Sequence, residues 1–303
     1  MVSFKPINLE DKDLFTDIFA KTKPIASEMS FAYLFMWECE YNLLYAIVED
    51  HLCMISRPRN FKPFAFCPIP VDGVRNDEKF KKAVTVIEEY FKNNGMDLLF
   101  GRVEESRLEE LKQVYGSRME AEYLEDISDY VYETSNLINL PGKKLGKKKN
   151  HINQFMRMYG SYEYVPVDKS NVEECRRIFD EWCEKNHECK AKISCERAAC
   201  NRLLDNWDVI PLKGALVQVN GKFEAFTIGE LLNPEMAVIH IEKGNSDIHG
   251  VYSLINRDFC ANEWSSVKYI NREEDMGIEG IRKSKLSYNP DFMVKKFLVK
   301  VSH

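Results

Sequence analysis

Three landmarks recur along this chain at one spacing, about 170 residues, which is the mark of a duplicated supersecondary unit. Short polar links between apolar runs sit at Glu49-Asp50-His51 and at Asn220-Gly221. Amphipathic helices open near 77 and near 250, and short apolar strands open near 97 and near 267. Little residue identity survives between the copies, so what repeats is the order of patterns. A length of 303 residues, at roughly 100–200 residues per domain, also predicts two domains.

In the first half, helices are expected over 10–20 and 29–37, and strands over 43–48 and 52–56. A third strand over 64–69 is weakened by its prolines. The helix over 77–93 is the plainest: Phe80, Val84, Ile87 and Phe91 share a face, and Gly95 follows as a stop. A strand over 97–101, a helix over 104–115 and strands over 119–124 and 129–133 complete this half. In the second, Val172, Cys175, Phe179, Trp182 and Cys183 make a helical stripe, and a helix follows over 195–206. GALVQV-NG-KFEAFTIGELL is a hairpin turning at Asn220-Gly221. Then come a strand over 236–243, a helix over 250–263, a strand over 267–271 and an alternating tail over 292–301. An antiparallel meander that crosses over through a helix gives a mixed sheet. That is the layout of the GNAT acyltransferase fold. The expected class is α/β (α+β), with two tandem GNAT-like domains over 1–134 and 143–303 and a linker over 134–142.

Composition removes several alternatives. The net charge of −6 and pI near 5.7 argue against nucleic-acid binding by bulk charge. No apolar run reaches the ~18 residues that span a bilayer, and the first residues lack the basic-then-apolar layout of a secretory signal. A cytoplasmic protein with no integral membrane segment is expected. The nine cysteines are scattered. Cys175, Cys183, Cys189, Cys195 and Cys200, with His187, contain no C-x₂-C pair, so free thiols and no metal are expected.

Three segments carry candidate chemistry. At 142–160, Lys143, Lys144, Lys147, Lys148, Lys149 and Arg157 form a concentrated basic stretch in an acidic chain. It suits a phosphate-bearing partner, with a solvated helical face as the plain alternative. At 241–259, Lys243, Gly244, Asn245, Ser246 and Gly250 lie between a strand and a helix, where GNAT folds cradle a donor's pyrophosphate on backbone amides. Asp247 and Ile248 interrupt the usual glycine signature there. At 270–290, Asn271, Arg272, Glu273, Glu274, Asp275, Arg282 and Lys285 crowd the C-terminal end of a strand, where open α/β sheets place ligands. A carboxylate there suits proton removal from an attacking amine, and Lys285 suits a phosphate or carboxylate. His240 and His249 read as structural. Phe31, Tyr33, Phe35 and Trp37 read as core, with Glu28 beside them a candidate for reaching a cleft.

These residues resemble a known bacterial family. Lys147-Lys148-Lys149-Asn150, His240-Ile241-Glu242-Lys243, and Asn271-Arg272-Glu273-Glu274-Asp275 with Gly277, Arg282, Lys285 and Pro290 are similar to the C-terminal domain of phosphatidylglycerol lysyltransferase. Ser27-Glu28 through Phe31 and Trp37 resembles that family's first domain. The resemblance implies a fold similar to the Fem-type peptidoglycan aminoacyltransferases and a donor such as a charged tRNA. The chain departs from the lysyltransferases in showing no membrane-spanning run.

The resulting expectation is an acyl- or aminoacyltransferase without a metal. Its donor is a coenzyme A thioester or an aminoacyl-tRNA, and its acceptor is a small amine or hydroxyl compound. Glu274, Asp275 and Asn271 are the catalytic candidates, with Glu274 first. Glu242, Arg272, Arg282, Lys285 and Glu28 are acceptor-binding candidates. Lys243, Gly244, Asn245, Ser246, Gly250, Lys147 and Lys148 are donor-binding candidates. The alternative is a non-catalytic GNAT module that binds a nucleotide-like ligand or an RNA end. The pattern leaves the oligomeric state open.

Overall fold

The computed structural model describes residues 2–185 and 190–302. In chain order the strands are β1 (Lys5–Pro6), β2 (Leu43–Val48), β3 (His51–Ser56), β4 (Phe64–Ala65), β5 (Ile69–Pro70), β6 (Leu99–Glu104), β7 (Met119–Tyr123), β8 (Asp129–Glu133), β9 (Glu163–Pro166), β10 (Lys213–Val219), β11 (Lys222–Asn233), β12 (Met236–Gly244), β13 (Tyr269–Asn271), β14 (Phe292–Val294) and β15 (Lys296–Val301). The helices are α1 (Lys12–Thr22), α2 (Phe31–Met36), α3 (Glu38–Tyr41), α4 (Asp77–Asn93), α5 (Leu108–Tyr115), α6 (Thr134–Asn139), α7 (Gly142–Tyr159), α8 (Val172–Lys185), α9 (Lys190–Asp205), α10 (Val251–Glu263) and α11 (Glu279–Leu286).

Contacts divide the chain into two units, Met1–Ser128 with Val294–His303, and Asp129–Met293. The first holds a sheet of order β1-β2-β3-β4-β6-β15-β7, with β5 also on β3. The second holds a sheet of order β14-β8-β13-β12-β11-β10-β9. Each sheet contains a parallel pair joined through a helix. β4 and β6 meet at Ala65 and Phe100, with α4 between them in sequence. β12 and β13 pair from Met236/Tyr269 to Val238/Asn271, with α10 between them. The duplication read from spacing is therefore a duplication of topology.

Local chemistry accounts for most of these elements. Both hairpin links place two residues in the left-handed region: Glu49 and Asp50 in the first unit, Asn220 and Gly221 in the second. That geometry matches the twist of the strands it joins. α4 is capped by Asn76, whose side chain accepts from the Lys79 N–H, and it buries Phe80, Ala83, Val84, Ile87 and Phe91. Pro68 lacks an N–H, and the strand expected over 64–69 is reduced to the two-residue pieces β4 and β5.

Two segments behave differently from their expected form. The stretch 134–142 is mostly helix α6 rather than an extended link. The tail 292–301 is two strands, not one. It breaks at Lys295, and β14 pairs in the second sheet while β15 lies between β6 and β7 in the first. β8, next in sequence after β7, enters the second sheet between β14 and β13. The first sheet thus takes one inner strand, β15, from a distant part of the chain, whereas the second is built from the continuous run β8 to β14.

Among the described residues no helix is long and apolar enough to cross a membrane, and no group could hold a metal ion. Cys175, Cys183 and Cys200 are buried free thiols. Cys189 and His187 lie outside the described residues, as does the side chain of Cys195.

Candidate active site at the parting of two strands

The site lies in the second unit, where β12 and β13 separate. Their pairing ends at Val238 and Asn271, while β12 runs on to Gly244 held by β11 alone. On that side the ladder steps from Ile228/Ile241 to Gly229/Ile239, so His240 is an extra, bulged residue. Bulges bend a strand and re-aim its side chains. A Cβ at Gly229 would lie 2.4 Å from the Val238 carbonyl oxygen, so the bulge requires glycine there.

Glu242 joins the diverging arms. Its Oε1 accepts from Arg272 Nη2 at 3.0 Å, and its Oε2 accepts from Asn256 Nδ2 of α10 at 3.0 Å. One carboxylate therefore connects the end of β12, the segment after β13 and helix α10. The His240 side chain is fully buried, with Nδ1 2.8 Å from Glu273 and Nε2 2.9 Å from Glu230. Burial opposes its protonation, but the two carboxylates prevail and raise its pKa to about 9. As an imidazolium it donates to both.

The loop after β13 is held from within. Asn271 is buried, donates to Asp129 at 3.0 Å and accepts from the Glu273 N–H at 2.8 Å. Glu273 itself has φ +58, an uncommon conformation for a residue with a side chain. Lys285 Nζ donates to the carbonyls of Arg272 (2.5 Å), Glu273 (3.0 Å) and Glu274 (2.5 Å). An ammonium has three protons, and these three acceptors match them. Burial lowers the Lys285 pKa to about 8, against the pull of Glu273 and Glu274. Asp275 accepts from Tyr130 Oη (2.6 Å), Arg282 Nε (2.7 Å) and Nη2 (3.0 Å), and the Gly277 N–H (2.8 Å). Burial would raise its pKa, but these donors hold it below the ordinary value. Asn271, Asp275, Arg282 and Lys285 thus shape the loop, and Glu274 is a buried residue of the same loop.

The loop between β12 and α10 is also strongly self-bonded. The amides of Asn245, Asp247, Ile248 and Val251 are taken by the Glu224 carbonyl, the Asn245 side chain, the Asn245 carbonyl and the Ile248 carbonyl. Tyr252 Oη bonds both the N–H and the carbonyl of Gly244. Lys243 pairs with Glu196 at 2.7 Å and lies 3.7 Å from the Trp182 ring. Asn245 also accepts from Lys185 and donates to Glu224. Ser246 is exposed. Gly250 has φ +84, and a Cβ there would lie 2.4 Å from the His151 carbonyl, so α7 packs directly on the start of α10.

α7 buries Leu145, Ile152 and Phe155, and Lys148 falls on the same stripe. Its ammonium lies 4.0 Å from the centre of the Tyr288 ring, which Arg272 also faces at 4.8 Å. Burial, with Arg272 nearby, lowers the Lys148 pKa to about 8. Lys147 is exposed on the other side.

Glu242, Arg272, Glu274, Lys285, Lys148 and the 243–250 loop are therefore parts of one unit, close to the strand parting. Glu28 belongs to the other unit, fully buried in an ion pair with Lys296. Tyr288, Asn256 and Glu230 escaped the sequence reading, and His240, read there as structural, was not seen to be a bulged residue between two carboxylates. A polar residue inside the buried stripe of a helix marks both Asn256 and Lys148. The bulge leaves no local trace.

Fold and site define a protein built from two GNAT-like mixed sheets flanked by helices. The sequence matches the family described as phosphatidylglycerol lysyltransferase, C-terminal, over residues 19–300, and the chain belongs to that family. It is 31% identical to a conserved protein of unknown function from Bacteroides thetaiotaomicron, with TM-score 0.92 and full coverage of both chains. It is 14% identical to the C-terminal domain of a putative lysylphosphatidylglycerol synthetase from Agrobacterium fabrum, with TM-score 0.68 over 98% of this chain and 93% of that one. A tandem GNAT protein from the clavulanic acid biosynthesis pathway shares the fold at 9% identity and TM-score 0.54, over 99% and 98% of the two chains.

Proposed function

We propose that this protein transfers an aminoacyl group from a charged tRNA to a small amine or hydroxyl acceptor. The observation that carries the reading is the strand parting bridged by Glu242, with the loop that follows β13 held in place by Lys285. The family's description, a lysyltransferase, supports the aminoacyl donor. Transfer from an ester needs positioning and stabilisation of the developing oxyanion rather than a metal. In this reading Glu274 takes the acceptor's proton, while Lys285, Asn271 and Asp275 hold the loop that carries it. A coenzyme A thioester is the less favoured donor. Four amides of the loop that would cradle its pyrophosphate already have partners inside the protein.

That same self-bonded loop favours a second reading, a non-catalytic module that binds a nucleotide-like ligand or an RNA end. The two separate in one experiment. The purified chain is incubated with radiolabelled aminoacyl-tRNAs, or with acetyl coenzyme A, and a panel of amines and alcohols. Acceptor-dependent loss of label from tRNA, reduced on the order of 100-fold by Glu274→Gln, supports the transferase. Binding of tRNA without turnover across the panel supports the module.

A further inference from the structure

Two lysines turn inward in the second unit, and only one of them is held. Lys285 Nζ donates to three carbonyls of the loop after β13. Lys148 falls on the buried stripe of α7, and its ammonium lies 4.0 Å from the centre of the Tyr288 ring. Among the described residues no ion pair and no hydrogen bond holds that ammonium. The side chain is half-buried rather than sealed, so part of it stays open to solvent.

These surroundings favour the neutral amine. Burial disfavours a cation, and a second cation on the same ring adds to that. Arg272 is the second cation, 4.8 Å from the Tyr288 ring. The groups around Lys148 are Arg272 and Glu242 at the strand parting, Tyr288 beyond α11, and Lys147 and His151 on its own helix. Glu242 pulls the other way, but its two oxygens already accept from Arg272 and Asn256. An amine that is neutral near physiological pH and bonded to nothing is a nucleophile.

We propose that Lys148 is a self-acylation site, whose amine takes the acyl group of a small acyl thioester and keeps it as an amide. The nitrogen attacks the thioester carbonyl carbon. A C–N bond forms, the C–S bond breaks, and the departing thiolate takes the proton that the nitrogen sheds. Acylation removes a positive charge and leaves Arg272 and Glu242 as a balanced pair. The proposal stands apart from the transferase reading, because the attacking amine is the chain's own and no second substrate enters.

The test uses the full chain, incubated with acetyl coenzyme A from pH 6 to pH 10. A protease that does not cut at lysine digests it, and peptide mass spectrometry reads the initial rate of acetylation at each lysine. At pH 8 Lys148 should react at least about tenfold faster than Lys149, which is exposed on the same helix. Its rate should level off above about pH 9, where the amine is already neutral, whereas the rate at an ordinary lysine keeps climbing to pH 10. Lys285, engaged with its three carbonyls, should stay unlabelled. The preference for Lys148 should vanish in urea, since packing creates it. Acetylation of Lys148 no faster than that of Lys149, a rate still climbing at pH 10, or the same preference in the unfolded chain would overturn the proposal.

Discussion

Lys148 and Lys285 share a lowered ammonium pKa, about 8, in different settings. Lys285 spends its protons on three carbonyls, whereas Lys148 has a ring face and a neighbouring guanidinium. For Lys148 the sign is plain. Between pH 8 and the ordinary lysine value near 10.5 the folded chain has released a proton that the unfolded chain keeps, so stability rises with pH there. Lys148→Met should therefore be the more stable protein at pH 7, by on the order of 1 kcal/mol, and the gap should close by pH 10. Urea unfolding at both pH values measures it. His240 runs the other way. Its pKa is raised to about 9, so its contribution is complete below the unfolded value near 6.5 and is lost as pH climbs through 9. The melting-temperature deficit of His240→Gln should be largest near pH 6 and shrink by pH 10.

Glycines separate packing from propensity among the helices of the second unit. Gly250 is left-handed, and a Cβ there would lie 2.4 Å from the His151 carbonyl oxygen, so Gly250→Ala should cost about 3 kcal/mol in urea unfolding. Gly146, inside α7 with nothing within 4 Å, should give the opposite sign on conversion to alanine, a gain of roughly 0.5–1 kcal/mol. The elements easiest to read from the sequence were those specified locally. α4 and α10 follow from periodicity, and the Asn220-Gly221 hairpin follows from turn chemistry. Strand partnership was not legible, because nothing within 292–301 states that β14 and β15 part company at Lys295. The bulge at His240 was hidden for the same reason, since it is defined only against β11. At the site, the density of charge in 271–285 located the loop. It did not reveal where each charge points: Asp275 toward Arg282, Lys285 toward its own loop's carbonyls, and Lys148 inward from a helix that otherwise presents its lysines to water.

The first sheet is completed by a distant strand and the second begins with β8, ahead of the expected boundary at 134–142, which sets the limits of dissection. A fragment covering 1–134 lacks β15, the strand between β6 and β7, and one covering 143–303 lacks β8, the strand between β14 and β13. Neither fragment should show a cooperative melt by circular dichroism, whereas the two mixed together should recover one. A cooperative transition in 143–303 alone would show that β8 is dispensable. The same arrangement orders events on the ribosome. Residues of β6 and β7 emerge early, but the slot between them stays empty until 296–301 has been translated. The nascent first unit must therefore wait, its strand edges open to chaperones, while the roughly 170 residues between β7 and β15 are read. A product released prematurely carries that vacancy as a visible mark for proteolysis.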